Sequence, residues 1–336
     1  MAAVFPVQSS GAFDTNPSYS GGFIPQLWSG KLNAKFYANT MLTEISNTDW
    51  EGEIKNQGDT IRIRTAPSIT ISDYVAGAGL GTAEVPTPIF TDMQINKAKS
   101  FNVQVNDVLE HQADMDLMNM FTEDAAKQLK IAIENECFFN WFVTEGAVAA
   151  NGGATAGALS AGYNLGTDAA PIDEATPGNV LKAILRMSAA LDEQNVPEEG
   201  RWLILTPYER QLLMQTDIAQ AYFTGDASST IRTGKIGMLD RFEVYVSNLL
   251  PKGEAGKALV AGLSATSSGA TVSGAGTRRM MVAGTKHACA FASQISKTEP
   301  LRNQNDFGDI VRGLTVYGRK VLKPEALVTA LVGSAP

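Results

Sequence analysis

Residues 58–105 constrain the fold more than any other stretch of this chain. They open GDTIRIRTAPSITISDY, with Ile61, Ile63, Pro67, Ile69 and Ile71 at odd positions and Thr60, Arg62, Arg64, Ser68, Thr70 and Tyr74 at even ones. Period-two alternation sends successive side chains to opposite faces of a strand, one apolar and one wet. Gly77, Gly79 and Gly81 follow as a tip, and alternation resumes through Ile89, Met93, Ile95, Phe101, Val103 and Val105. The pattern predicts a hairpin with arms of about fifteen residues, roughly 50 Å each at ~3.3 Å per residue, where ordinary strands run to ~5–6 residues. Its return arm carries Asp92, Gln94, Asn96, Lys97 and Lys99. So long and polar a ribbon does not fit wholly inside its own core. Its isoleucines need a surface from elsewhere.

Around the ribbon the chain divides readily. The first residues, MAAVFPVQSSGAFDTNPSYSGG, read as an extended arm with no core of its own, and lack the basic start and apolar stretch of a signal peptide. Leu27, Trp28, Leu32, Phe36 and Leu42 give helical spacing over Ile24–Ser46. The longest predicted helix spans Asp114–Glu145, with Leu117, Phe121, Ala125, Leu129, Ile133, Cys137 and Trp141 four residues apart and acids in its first half. About thirty residues at 1.5 Å make a rod of roughly 45 Å. Residues 146–178 are Gly/Ala-rich and aperiodic, a loop or boundary. Thr176 and Pro177 are the expected N-cap and first position of a second helix. The strands RWLILTP and RFEVYVSN flank a helix opening at Pro207, so 178–285 reads as a mixed α/β unit. The tail holds three strand-like pieces, RMMVAGTKHACAFAS, DIVRGLTVYGRKV and EALVTALV.

Chemistry is scarce. The chain has 336 residues, a net charge of -8 and 44% apolar residues, a globular composition with no basic field for nucleic acid or an anionic membrane. Apolar runs fall short of the ~18 residues a membrane helix needs. Two cysteines, Cys137 and Cys289, are too few for a disulfide framework and suggest synthesis in a reducing cytoplasm. His287 and Cys289 stand at i, i+2, where both could share a strand face, yet two ligands do not close a metal site. The other histidine is His111. GDASSTIRTGKIG (225–237) fails as a phosphate loop, with Ser229 where the first Gly belongs and Ile236 in place of Ser/Thr. GAGLGT and GAGTRR lack the closing Gly of a dinucleotide turn. Neither an enzyme nor a cofactor is expected.

Four segments in order carry a resemblance. GKIGMLDRFEVYVSNLLP (234–251), FGDIVRGLTVYGRKVLKPEALVTALV (307–332), GRWLILTPYERQLL (200–213) and GDTIRIR (58–64) resemble stretches of the major capsid proteins of tailed bacteriophages. The resemblance implies an α+β chain with the Hong Kong 97-like capsid fold. Residues 1–50 would be the N-terminal arm, 51–106 the extended loop, 107–176 with 286–336 the peripheral domain and its spine helix, and 177–285 the axial domain.

It further implies a homo-oligomer whose hexamers and pentamers build an icosahedral shell around double-stranded DNA, assembled in the host cytoplasm. No room is left before the loop for a cleaved scaffolding segment, so a separate scaffolding protein is implied, with a portal protein and possible decoration proteins. Arg62, Arg64, Ile69, Ile71, Lys97 and Lys99 are the expected contacts with neighbouring copies. Arg232 and Lys235, in the loop 225–237, are candidates for the capsomer centre. An acidic shell suits a container that holds DNA without reading it, since strong phosphate binding would hinder packaging and release. An encapsulin-like compartment around an enzyme cargo shares the fold and remains open at this point.

Overall fold

A computed structural model describes residues 37–50, 60–67, 69–74, 76–77, 83–107, 116–145, 151–176, 178–224, 237–254, 257–262, 276–303 and 306–333, with the side chains of 216–224 and 294–296 outside that set. Most of the arm, the tip glycines 79 and 81, His111, and the loop candidates Arg232 and Lys235 lie outside the described residues.

The long hairpin is shorter than the alternation suggests. β1 (Thr60–Thr65) pairs antiparallel with β2 (Ile89–Gln94), in a register running from Thr60 opposite Gln94 to Thr65 opposite Ile89. The described residues between 66 and 88 form no strand. β3 (Lys97–Asn106), expected as the rest of the return arm, pairs with the tail strand β11 (Gly308–Val321), from Lys97 opposite Tyr317 to Asn106 opposite Gly308. The reason is cover. A free two-stranded ribbon is marginal in water, whereas beside β11 the odd residues of β3 turn toward a helix and only the even ones stay exposed.

That helix is α2 (Leu117–Phe139), capped by Asp116, whose side chain accepts a hydrogen bond from the Asn119 N–H at 3.1 Å. It continues as a π-helical turn over Asn140–Glu145. Its buried residues, Ile131, Ile133, Glu134, Cys137 and Phe138, all lie in the C-terminal half. A spacing of four overshoots a 3.6-residue turn by about 40° per step, so the sequence stripe winds round the rod and Leu117 and Trp141 face different surroundings. The expected helix over Ile24–Ser46 shrinks, within the described residues, to the single turn α1 (Leu42–Ile45). The backbone N–H groups of Met41 and Leu42 bond to the Glu134 carboxylate on α2 instead of to preceding carbonyls.

The tail also divides differently. RMMVAGTKHACAFAS, expected as one piece, breaks at a turn over 286–288 into β9 (Arg278–Thr285) and the start of β10 (Cys289–Arg302). β10, β11 and β3 form a three-stranded sheet against α2, with a bulge between Ser293 and Ile295. β9 instead enters a larger sheet. There β5 (Arg201–Leu205) pairs parallel with β7 (Phe242–Val246) and antiparallel with β9, and β12 (Leu327–Gly333) pairs with β9. Short strands β4 (Ile172–Asp173), β6 (Met238–Leu239) and β8 (Lys252–Gly253) complete it. The last tail strand, expected beside the spine helix, therefore belongs to the sheet of the 178–285 region. All five residues of β5 are buried, as suits a central strand covered on both faces.

α3 (Asn179–Glu193) packs on β12 through Val180, Ala183, Ile184, Met187 and Leu191. Its N-cap is Gly178 with φ +84°, two residues beyond the expected Thr176, whose hydroxyl donates to Asp173 instead. A left-handed N-cap favours glycine, which pays no Cβ penalty there. α4 (Pro207–Thr224) starts where expected, with Glu209 accepting the Thr206 N–H at 2.8 Å in half of a capping box. One hydrophobic core joins both sheets, running from Cys137, Phe138 and Trp141 to Leu203, Met281 and Leu327. Phe142 meets Trp202 across it with ring centroids 6.4 Å apart.

Candidate functional site

The hairpin base has its own small core. Ile61 and Ile63 pack with Trp50, Met93 and Ile95 over Ala290, Ala292 and Val316 of the three-stranded sheet. Above it, cover ends. Ile69 is 65% exposed, Ile71 90%, Tyr74 73% and Val85 83%, and Ile89 and Phe90 are also exposed. The two sides of this loop are tied by the Thr70 N–H, which donates to Glu84 at 3.0 Å. Large apolar side chains gathered on one projection mark an interaction surface rather than the scattered exposure usual in monomers.

The charged candidates separate. Arg62 forms a two-pronged pair with Asp92 opposite it, at 2.9 and 3.1 Å, and its guanidinium lies 5.0 Å from the Phe90 ring centre. The hydrogen bond raises Arg62 and lowers Asp92 from their ordinary values. Both groups are exposed, so solvent screens the pair and it adds little to stability. Arg64 is exposed, with no ion pair among the described residues. Lys99 meets Glu136 of α2 in its own chain at 2.6 Å. The odd face of β3, which carries it, is the face turned to α2. Lys97 is half-buried beside Asp92, Glu145 and Arg319.

Lys99 belongs to a seam of charges along the spine helix. Arg319 reaches Glu145 at 3.2 Å and Glu136 at 3.9 Å, and Lys320 reaches Glu145 at 3.6 Å. Burial alone would raise the Glu136 carboxyl, but Lys99 and Arg319 outweigh it and hold it below its usual value. In a plain α-helix, nine residues turn about 180°, which would leave Glu145 opposite Glu136. The wider π turn at 140–145 reduces that angle, so both acids serve Arg319. Sequence periodicity carries no signal for such a turn.

Among the described residues no catalytic constellation emerges. His287 lies exposed in the turn between β9 and β10, while Cys289 is fully buried at the start of β10, so the two do not share a strand face. Burial pushes both cysteine thiols well above their ordinary range. Among the described residues no group of three or more His, Cys, Asp or Glu could hold a metal ion. No described helix is long and apolar enough to cross a membrane.

A family model described as phage capsid protein matches residues 91–330. The chain belongs to the phage capsid protein family. No curated protein sequence matches it. Among solved structures, this capsid protein is similar to a chain of Mycobacterium phage Che8, at 25% identity and TM-score 0.69, over 93% of this chain and 98% of that one. The capsid chain of Cyanophage P-SCSP1u matches at TM-score 0.67 and 15% identity, over 99% and 100%. The mature capsid chain of bacteriophage PhiM1 matches at TM-score 0.63 and 13% identity, over 98% and 100%. The capsid protein thus has the Hong Kong 97-like fold and is a structural component of the virion, an oligomer of capsid subunits. Its resemblance to phage capsids favours a viral shell over a cargo compartment.

Proposed function

We propose that this major capsid protein forms the hexamers and pentamers of an icosahedral shell around double-stranded DNA, each copy laying its projecting loop across a neighbour. The observation that carries this is the exposed apolar set Ile69, Ile71, Tyr74, Val85 and Ile89, which nothing described in its own chain covers. Burying such side chains yields ~25 cal/mol per Å², and many repeats of a modest contact give a shell cohesion. The protein does no chemistry of its own. It assembles in the bacterial cytoplasm with a separate scaffolding protein and a portal, and decoration proteins are compatible with it.

In this reading residues 1–50 are the arm and the loop runs from about 51 to the end of β2. α2 with the three-stranded sheet forms the peripheral unit. The larger sheet with α3 and α4 forms the axial unit, with Arg232 and Lys235 at the capsomer centre. Deletion of 66–88 tests the central claim, with negative-stain microscopy and sedimentation as readout. A folded subunit that builds no shells is the expected result; normal particles would overturn it.

A further inference from the structure

Beside α1 a cavity of about 430 Å³ opens between α2 and the three-stranded sheet. Its walls include Phe101, Leu129, Ile133 and Phe291, with the exposed Lys130 and Lys297 also lining it. Glu134 lies inside, 0% exposed. One of its oxygens, Oε2, accepts the Met41 and Leu42 N–H groups at 2.8 and 3.0 Å. The other, Oε1, is buried with no hydrogen-bond partner among the described residues. Burial pushes the carboxyl up to about 7. A volume of this size, apolar walls and one orphaned acceptor are the makings of a binding pocket. Its complement is an apolar body with a hydrogen-bond donor at its inner end and negative charge at its outer end.

The projecting loop carries that complement. Ile69, Ile71, Asp73 and Tyr74 are all exposed, and they combine apolar bulk, one carboxylate and one phenol hydroxyl within six residues. A chain's own loop starts on the wrong side for its own cavity. The hairpin base packs on Ala290 and Ala292, whereas Phe291, on the alternate face of β10, lines the cavity. A strand's alternate residues point to opposite faces of its sheet, so a loop that enters the cavity has to come from another copy.

We propose that Ile69–Tyr74 of one copy docks in this cavity of the next, with the Tyr74 hydroxyl donating to Glu134 and Asp73 facing Lys130 and Lys297. The proposal rests on the reading that the loop lies across a neighbour, and gives that contact its socket. Loop into socket is a head-to-tail contact, which closes into a ring when the rotation permits.

A cysteine experiment reads the contact directly. Tyr74→Cys and Thr298→Cys chains are co-assembled and oxidised; Thr298 is exposed and lines the cavity, and the native Cys137 and Cys289 are buried. Covalent dimers from mixed particles, absent from particles of either variant alone, are expected. Particles of normal size without dimers overturn the socket. A charge swap gives an independent reading whether or not the cysteine variants assemble. Asp73→Lys should raise the subunit concentration needed for assembly about tenfold, the equivalent of one interface contact of ~1.4 kcal/mol. Lys130→Glu in the same chain should restore most of it, since Lys297 is also paired with Glu299 of its own chain. Failure of restoration also overturns the socket. If deleting 66–88 still abolishes shells when these tests fail, the loop contacts its neighbour elsewhere and the broader reading stands.

Discussion

The base and the upper part of the hairpin carry the same alternating pattern and meet opposite fates. Ile61 and Ile63 sit over Met93, Ile95 and two alanines of β10, while Ile69 and Ile71 stand in solvent. Nothing in the side chains distinguishes the two pairs. Distance from the sheet does: β1 and β2 pair for six residues each, roughly 20 Å, and the apolar face outlasts the surface its own chain supplies. The lower half of the ribbon is folding machinery, and in the shell proposed above the upper half is assembly machinery.

Breaking the base should cost the most in the free subunit. Met93 is fully buried, and Met93→Ala is expected to lose ~2–5 kcal/mol through lost burial and a cavity, read as a lower urea midpoint. If the midpoint holds, the base is not a core.

Glu134 should give a pH effect of similar size. Its folded-state carboxyl sits at about 7 against an ordinary 4.5, chiefly because of burial, with the Glu44 charge adding to the rise and Lys130 and Lys297 also lining the cavity. A raised folded value means the free-subunit stability linked to this group is fully present below 4.5 and is lost as pH rises through 7. The span is about 3 kcal/mol. Glu134→Gln should flatten that part of the stability–pH profile, and an unchanged profile would count against the burial argument.

Gly313→Ala probes the same sheet where the Phe101 ring lies over its strand partner. A Cβ there would fall 2.2 Å from the Phe101 ring, and overpacking of this kind costs ~1–3 kcal/mol, visible in thermal melts. Arg62→Ala, which removes an exposed and solvent-screened pair, should leave the same melts almost unchanged.

Ile71→Ser completes the contrast. The free subunit should change by less than ~0.5 kcal/mol, since the side chain is 90% exposed, yet the concentration needed for assembly should rise severalfold. A matching loss of subunit stability would mean that the upper loop packs on its own chain.

Much of this was legible from residue order. The spine helix, α3, α4 and β5 stand close to where spacing and turn residues put them, because each buries a locally periodic face. The motif runs at 200–213, 234–251 and 307–332 pointed to the right family. Charge roles were less legible. Lys99 and Arg62 read as contacts with neighbouring copies, but each has a partner in its own chain, Glu136 and Asp92, thirty or more residues away. Nothing in the residue order singles out Glu134. Only folding shows it buried, with two N–H groups on one oxygen and, among the described residues, none on the other.

Residue order by itself determined which segments alternate, where helices run and which family the chain belongs to, since these depend on neighbours a few positions apart. Tertiary structure decided that β3 leaves the hairpin for β11, that β9 and β10 part into different sheets, and that the apolar face of the loop runs out of cover. A strand's pattern states that one face needs burying. Its hydrogen-bonding edge accepts any partner of matching register, so the choice falls to whichever distant segment brings a helix to cover it.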